Sequence, residues 1–251
     1  MGWLSGLRSL LPAPGRGLAG AVLCALCLVA VACGDDDDDS GSDGSGGASQ
    51  TPEERAPEEP RAAAGGCESV PQPQPRPDGG AKKPRGRLDP RTTYVVTLRT
   101  SCGDIAIRLD QKTSPKTAAS FVNLVRTGFY DGTAFHRIVP GFVIQGGDPT
   151  GSGSGGPGYS TRDVPPRTAT YLQGTVAMAK SAVEPPGTAG SQFYIVTAPD
   201  AGLPPEYALL GEVVKGQAVV DEIGRLGDPA SGEAGTPLQP VVIEGGKVSE
   251  R

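Results

Sequence analysis

Hydrophobic positions divide the chain into three zones. The first is a single unbroken apolar run over residues 18–32. The second, residues 34–90, has almost no large apolar side chains and is built from runs of Asp (35–39), Gly and Ser (41–47) and Pro (71–77). The third begins near Arg91, where β-branched and aromatic residues recur in short runs between Gly and Pro. The middle zone buries too little surface to offset the entropy of ordering it, about 1–2 kcal/mol per residue for the backbone alone. The third zone is long enough for one sizeable core. One domain on a tether is therefore predicted.

Within the third zone, residues 94–98 and 105–109 are β-rich runs around Ser101-Cys102-Gly103-Asp104, a hairpin pattern. Ser114-Pro115 opens a helix, with Ser as N-cap and Pro at the first helical position. Phe121, Leu124 and Val125 follow at helical spacing, and Gly128 ends it. Residues 135–139 and 142–145 form two strand candidates around Pro140-Gly141, followed by a glycine-rich loop over 146–158. Further strands are predicted at 175–178, 193–197, 208–214 and 241–244, and a short helix at 218–223. Many short strands with few helices favour an antiparallel barrel over an alternating α/β fold.

Charge and cysteine usage refine the outer zones. Arg8 and Arg16 precede the apolar run, whose 15 residues are short for a membrane span but suited to the core of an export signal. It ends in Ala30-Val31-Ala32-Cys33, which resembles the lipobox of bacterial lipoproteins. That resemblance implies a lipoprotein signal peptide over 1–32, a lipidated Cys33, a flexible tether over 33–90 and a domain over 91–251. Cys24 and Cys27 lie inside the apolar run and would leave with the signal. Export places Cys67 and Cys102 where disulfides persist; a Cys67–Cys102 bridge is expected, with two free thiols as the alternative. The bridge would shorten the free tether to residues 34–66, with a span of about 30 Å. The expected location is thus the extracytoplasmic face of a bacterial cell membrane, held by an N-terminal lipid.

Several chemistries are disfavoured. The net charge of −5 speaks against nucleic-acid binding, and the cluster Lys82, Lys83, Arg85, Arg87 and Arg91 has no interleaved aromatics. Gly151, Gly153 and Gly156 satisfy a dinucleotide-binding spacing, but Pro157-Gly158 follows where a helix would have to start. With one histidine, His136, and no cysteine pair at ligand spacing beyond Cys24 and Cys27 of the apolar run, neither a metal site nor a covalent triad is expected. No cofactor is expected.

The informative stretch is Phe135-His136-Arg137-Ile138-Val139-Pro140-Gly141-Phe142-Val143-Ile144-Gln145-Gly146-Gly147-Asp148. It resembles the signature of the cyclophilin family. The likeness continues through residues 174–179, through Gly190-Ser191-Gln192-Phe193-Tyr194 and through residues 207–214, spanning nearly all of 92–246. The resemblance implies a mainly β fold, a closed antiparallel eight-stranded barrel with two flanking helices. It also implies peptidyl-prolyl cis/trans isomerase activity by a non-covalent mechanism on exported proteins. Proline-containing polypeptides would be the partners, and the chain is expected to act as a monomer.

The residues suit that chemistry. Turning an X–Pro bond breaks amide conjugation against a barrier of about 18–20 kcal/mol, and needs an apolar slot for the ring and a fixed donor where charge develops. Arg137 is a permanently charged planar fork. By the resemblance it donates near the prolyl nitrogen, Gln145 orients it, and Phe142 completes the catalytic set. Val143, Tyr194 and Leu210 would line the proline slot, although plain core packing is an equal reading of Leu210. Ala179, Gln192, Leu203 and Tyr207 would surround the groove. Three positions depart from the family pattern: Tyr194 replaces a frequent Phe, Lys180 a frequent Asn, and the segment 199–207 lacks the Trp of some relatives. The alternative function is a proline-peptide binding module with little turnover.

Overall fold

The structure, a computed structural model, describes residues 66–251. The expected signal peptide, Cys33 and most of the tether lie outside the described residues. Eleven strands, two α-helices and a 3-10 helix follow one another along the chain. The strands are β1 Tyr94–Thr100, β2 Gly103–Leu109, β3 Thr133–Ala134, β4 Arg137–Val139, β5 Val143–Gly146, β6 Thr161–Arg162, β7 Thr175–Met178, β8 Thr188–Ala189, β9 Phe193–Val196, β10 Leu209–Lys215 and β11 Val242–Glu250. The helices are α1 Pro115–Arg126 and α2 Gln217–Gly224, and the 3-10 helix spans Pro229–Ala234.

Nine strands make one curled antiparallel sheet in the order β3-β11-β1-β2-β10-β7-β9-β5-β4, with β6 and β8 paired separately. This is a mainly β fold with few helices, and nine strands are counted in the sheet where eight were expected. The extra one is β3, just ahead of the predicted run 135–139: β3 pairs with β11, β4 pairs with β5, and Phe135-His136 lies between them outside either strand. The short pair β6 and β8 had no alternating apolar pattern long enough to mark it.

The pleat decides where the core sits. On β5, β9 and β7, Ile144, Phe193, Ile195, Val176 and Met178 face one side and join the main core. Their alternates Val143, Tyr194, Val196 and Ala177 face the other side and form a second apolar cluster. Period two along a strand sends neighbours to opposite faces, so one four-residue run serves two clusters. In the main core Phe193 meets Phe121, Tyr130 and Phe135 at ring-centroid distances of 5.5, 5.8 and 6.0 Å, each near edge-to-face, a geometry favoured by the ring quadrupole.

Helix α1 starts at Pro115, as expected, but its cap is not the side chain of Ser114, which makes no capping bond. Asp163 takes that role from 46 and 47 residues away, its Oδ2 accepting the amides of Thr117 at 2.7 Å and Lys116 at 2.9 Å. A carboxylate there satisfies orphan donors and suits the positive end of the helix. The helix packs on β11 and β6, while α2 packs on β2, β5 and β4.

Residues 66–90, expected within the tether, lie instead against the domain. Cys67 is bonded to Cys102, Glu68 N donates to Ser101 O at 2.7 Å, and Asn123 Nδ2 donates to Lys82 O at 3.0 Å. The basic residue Lys83 is also engaged, donating to Ser160 O at 2.7 Å.

Because Phe193 is the hub of the aromatic core, Phe193→Ala should lower the unfolding free energy by about 3–5 kcal/mol. Urea denaturation followed by fluorescence measures this, and a loss under about 1 kcal/mol would remove Phe193 from the hub.

Candidate functional site

The site lies on the second face of the sheet, where β4, β5, β9 and β7 run side by side. Arg137 pairs in register with Gln145, Gln145 with Tyr194, and Tyr194 with Ala177. Directly opposed residues of antiparallel strands share a face, so this row is fixed by backbone pairing alone.

Arg137 is half-buried and held from two directions. Its Nε donates to Glu233 O in the 3-10 helix at 2.9 Å, and its Nη1 donates to Gln145 Oε1 at 3.4 Å. The guanidinium carbon lies 6.0 Å from the centroid of the Phe142 ring, within cation–π range. Gln145 in turn donates from Nε2 to Gln192 Oε1 at 3.0 Å, and Gln192 Nε2 donates to the carbonyls of Gly153 and Gly155 at 3.0 and 2.9 Å. A polar chain thus runs from the guanidinium into the glycine-rich loop.

Beside it lies the second apolar cluster: Val143, Tyr171, Tyr194, Val196 and Ala177, with Phe142, Ala179, Leu203, Tyr207 and Leu209 packed against them. Tyr194 and Tyr207 meet edge-to-face at 5.7 Å. The structure therefore brings together Arg137, Phe142, Val143, Gln145, Ala179, Gln192, Tyr194, Leu203 and Tyr207.

Leu210 is a correction. It is 0 % exposed and belongs to the main core, on the opposite side of the sheet. Leu209 is the neighbour that reaches the groove cluster, since Leu209 pairs with Ala177 and shares its face. A register shift between Leu209 and Gly211 accompanies this pairing, and no sequence pattern marks it.

Two further side chains, Tyr171 and Lys180, border the site. Tyr171 hydroxyl donates to Tyr207 O at 2.8 Å and accepts from Tyr207 N at 3.0 Å, which pins that segment. The only available signal was a lone large aromatic in a loop of small and polar residues. Lys180, with a side chain only 3 % exposed, pairs with Glu206 at 3.1 Å and lies 5.5 Å from the Tyr207 ring centroid. The Tyr194 hydroxyl has no hydrogen-bond partner among the described residues, and burial, reinforced by Tyr171 and Tyr207, pushes its phenol far above the ordinary 10.0. The hydroxyl stays protonated.

At the end of the glycine-rich loop, Pro157-Gly158 continue as irregular chain rather than opening a helix. The loop is organised by Asp148, 1 % exposed. Its Oδ1 accepts from Thr150 N and Oγ1 at 2.7 and 2.8 Å, and its Oδ2 accepts from Gly153 N and Gly155 N at 2.6 and 3.2 Å. Burial opposes ionisation of Asp148, yet the donors from Thr150, Gly155 and Gly153 outweigh it and hold the carboxyl below 3.8. Among the described residues no three His, Cys, Asp or Glu side chains gather as a metal site.

The chain is similar to known proteins in sequence and fold. Residues 95–248 match the family model of the cyclophilin type peptidyl-prolyl cis-trans isomerase/CLD. A peptidyl-prolyl cis-trans isomerase B of Streptomyces anulatus is 41 % identical over 174 residues, covering 62 % of this chain and 97 % of that one. A peptidyl-prolyl cis-trans isomerase A of Mycobacterium tuberculosis is 39 % identical over 173 residues, covering 62 % and 92 %. A Cryptosporidium parvum cyclophilin type isomerase, solved in the presence of the dipeptide Ala-Pro, superposes with a TM-score of 0.56 at 30 % identity, over 62 % of this chain and 99 % of that one.

His136 sits beside the loop, its Cδ2 3.8 Å from where a Cβ on Gly153 would lie, and neither ring nitrogen has a hydrogen-bond partner among the described residues. Burial lowers its pKa below 6.5 despite the nearby Asp148 carboxylate. Unfolded chains bind the proton first on acidification, so this contribution to stability is present above pH 6.5 and is lost as pH falls toward the lower folded value. His136→Gln should flatten the pH dependence of denaturant midpoints below 6.5, and an unchanged slope would count against a buried neutral imidazole.

Proposed function

The chain belongs to the cyclophilin-type peptidyl-prolyl cis-trans isomerases and accelerates X–Pro bond rotation as a folding catalyst, and from that premise we propose that Arg137 is the group that lowers the barrier, on prolines of exported proteins. The supporting observation is the guanidinium held by Glu233 O and Gln145 beside the Phe142 ring and the apolar cluster. For the fold, we read β3 and β4 as one strand interrupted at Phe135-His136; the sheet then counts eight strands and its two ends are the same strand, a closed barrel.

Mechanism follows from the chemistry of the twist. The planar imide shares the prolyl nitrogen lone pair with its carbonyl, and rotation localises that pair on nitrogen. A cationic N–H aimed at this nitrogen binds the twisted state better than either planar isomer. Each 1.4 kcal/mol of that difference is worth about tenfold in rate. Two of the five guanidinium donors are spent on Glu233 and Gln145, so the fork has others to offer. Fixing it beforehand avoids reorganisation during the turn. Phe142, Val143 and Tyr194 receive the proline ring, with Leu203 and Tyr207 beyond them. Ala179, Gln192 and Gln145 align the peptide on either side. No bond to the enzyme forms and no cofactor takes part. A binding module with little turnover would have no use for an oriented cation at the floor of its slot.

Proline-containing peptides are the ligands, a reading in line with the Ala-Pro dipeptide present with the Cryptosporidium relative. We further propose that the chain is a bacterial lipoprotein, that residues 1–32 are its signal peptide and that Cys33 carries the lipid. Ala30-Val31-Ala32-Cys33 after an apolar run supports this. The domain then works as a monomer at the extracytoplasmic face of the membrane.

Arg137→Ala should lower kcat/KM for an Ala-Pro peptide by about tenfold or more in a protease-coupled or NMR exchange assay. An unchanged value would take Arg137 out of the mechanism. Cys33→Ser, expressed in a bacterial host, should move the protein from the membrane to the soluble fraction and abolish lipid labelling. Retention of labelled, membrane-bound protein would overturn the anchor.

A further inference from the structure

Residues 66–90 contain no helix or strand, yet from Arg76 onward they are joined to the glycine-rich loop. Arg76 N donates to Pro149 O at 2.9 Å, Gly79 N to Gly156 O at 3.0 Å and Ala81 N to Pro157 O at 3.1 Å. Asp78 Oδ1 accepts from Gly156 N at 2.7 Å. Both main-chain groups of Gly156 are therefore held by this strap. Glycine suits both sides of the contact: both residues have positive φ, +83° at Gly158 and +77° at Gly79, and a Cβ on Gly158 would lie 3.0 Å from the Gly79 Cα. Asp78 also stands in the wall of a cleft of about 630 Å³ that Gln145, Ala179 and Gln192 share.

The loop so held is the one whose Gly153 and Gly155 carbonyls accept Gln192 Nε2. Gln192 carries Gln145, and Gln145 meets Arg137 at 3.4 Å, the longest link in the chain. A bond of that length is lost on a small displacement. The loop has five glycines between residues 151 and 158, and such a segment has much conformational freedom to restrain. Asp148 restrains it from inside and the strap from outside.

We propose that the strap is a structural part of the active site, and that Asp78 is a positioning residue which sets the guanidinium of Arg137 through Gly156, Gln192 and Gln145. This rests on the isomerase reading with Arg137 as donor. The segment joining the domain to its N-terminal tether is thereby also the outer support of the catalytic groove. Loosening the strap loosens the donor.

The test compares Asp78→Ala and Asp78→Asn in the full chain. Asp78 is exposed, so neither change disturbs the core. Asp78→Ala should lower kcat by about three- to tenfold with KM nearly unchanged, because alignment in the twisted state is what is lost. Asp78→Asn keeps an oxygen for the Gly156 amide and should restore kcat to within about twofold of the starting protein. In parallel, the Arg137 Nε–Hε NMR resonance should shift in Asp78→Ala and return in Asp78→Asn. An unmoved resonance overturns the proposal whatever the turnover, as does full activity in Asp78→Ala or failure of Asp78→Asn to restore it. A starting protein with no turnover would overturn the isomerase reading alone, and the resonance would then decide the role of the strap.

Discussion

The backbone register across β4, β5, β9 and β7 is the constraint on which both stability and site depend. It puts Arg137, Gln145, Tyr194 and Ala177 in one row and sends Ile144, Phe193, Ile195, Val176 and Met178 to the other side. A slip of one residue in any pairing would exchange the two sets, exposing core side chains and burying the polar row. The main core therefore specifies the groove: the energy that keeps Phe193 among Phe121, Tyr130 and Phe135 also keeps Tyr194 in place. Catalytic geometry built on paired strands inherits their rigidity.

What the strands do not reach, buried or well-placed polar groups hold. Asp148 gathers the amides of Thr150, Gly153 and Gly155, and Asp163 gathers those of Lys116 and Thr117. Each carboxylate replaces water around backbone donors that would otherwise be buried without partners. Gly147 shows how closely the loop is laid. Its φ is +88°, and a Cβ there would come within 2.6 Å of Ser191 O, a position open to glycine only.

The groove combines a cation with aromatic and aliphatic walls. Arg137 lies over Phe142 and Lys180 over Tyr207, the latter neutralised by Glu206. The two cations thus differ in role. Lys180 is tucked away with its counter-ion as part of the wall, while Arg137 is bonded to a carbonyl and an amide, neither of which cancels its charge. On the proposed mechanism, that uncancelled charge beside a low-dielectric slot is what would stabilise the developing lone pair.

The sequence by itself determined the class of fold, the order of the main strands and helices, and the residue types of the groove, because strand alternation, Pro and Gly placement and the run from Phe135 to Asp148 are local signals. Tertiary structure decided which of two adjacent leucines serves the groove. Leu210 went to the core and Leu209 to the site because pairing register, set by β7 and β10 together, chooses the face. Partners remote in the chain were equally hidden: Asp163 capping α1, the Glu233 carbonyl holding Arg137, Tyr171 bracing Tyr207, and the strap gripping Gly156. The strap reads as tether because it has almost no apolar residues, and its hold comes mostly from main-chain groups and glycine close approach. Backbone hydrogen bonds are available to every residue alike, so composition does not foretell where they will be spent.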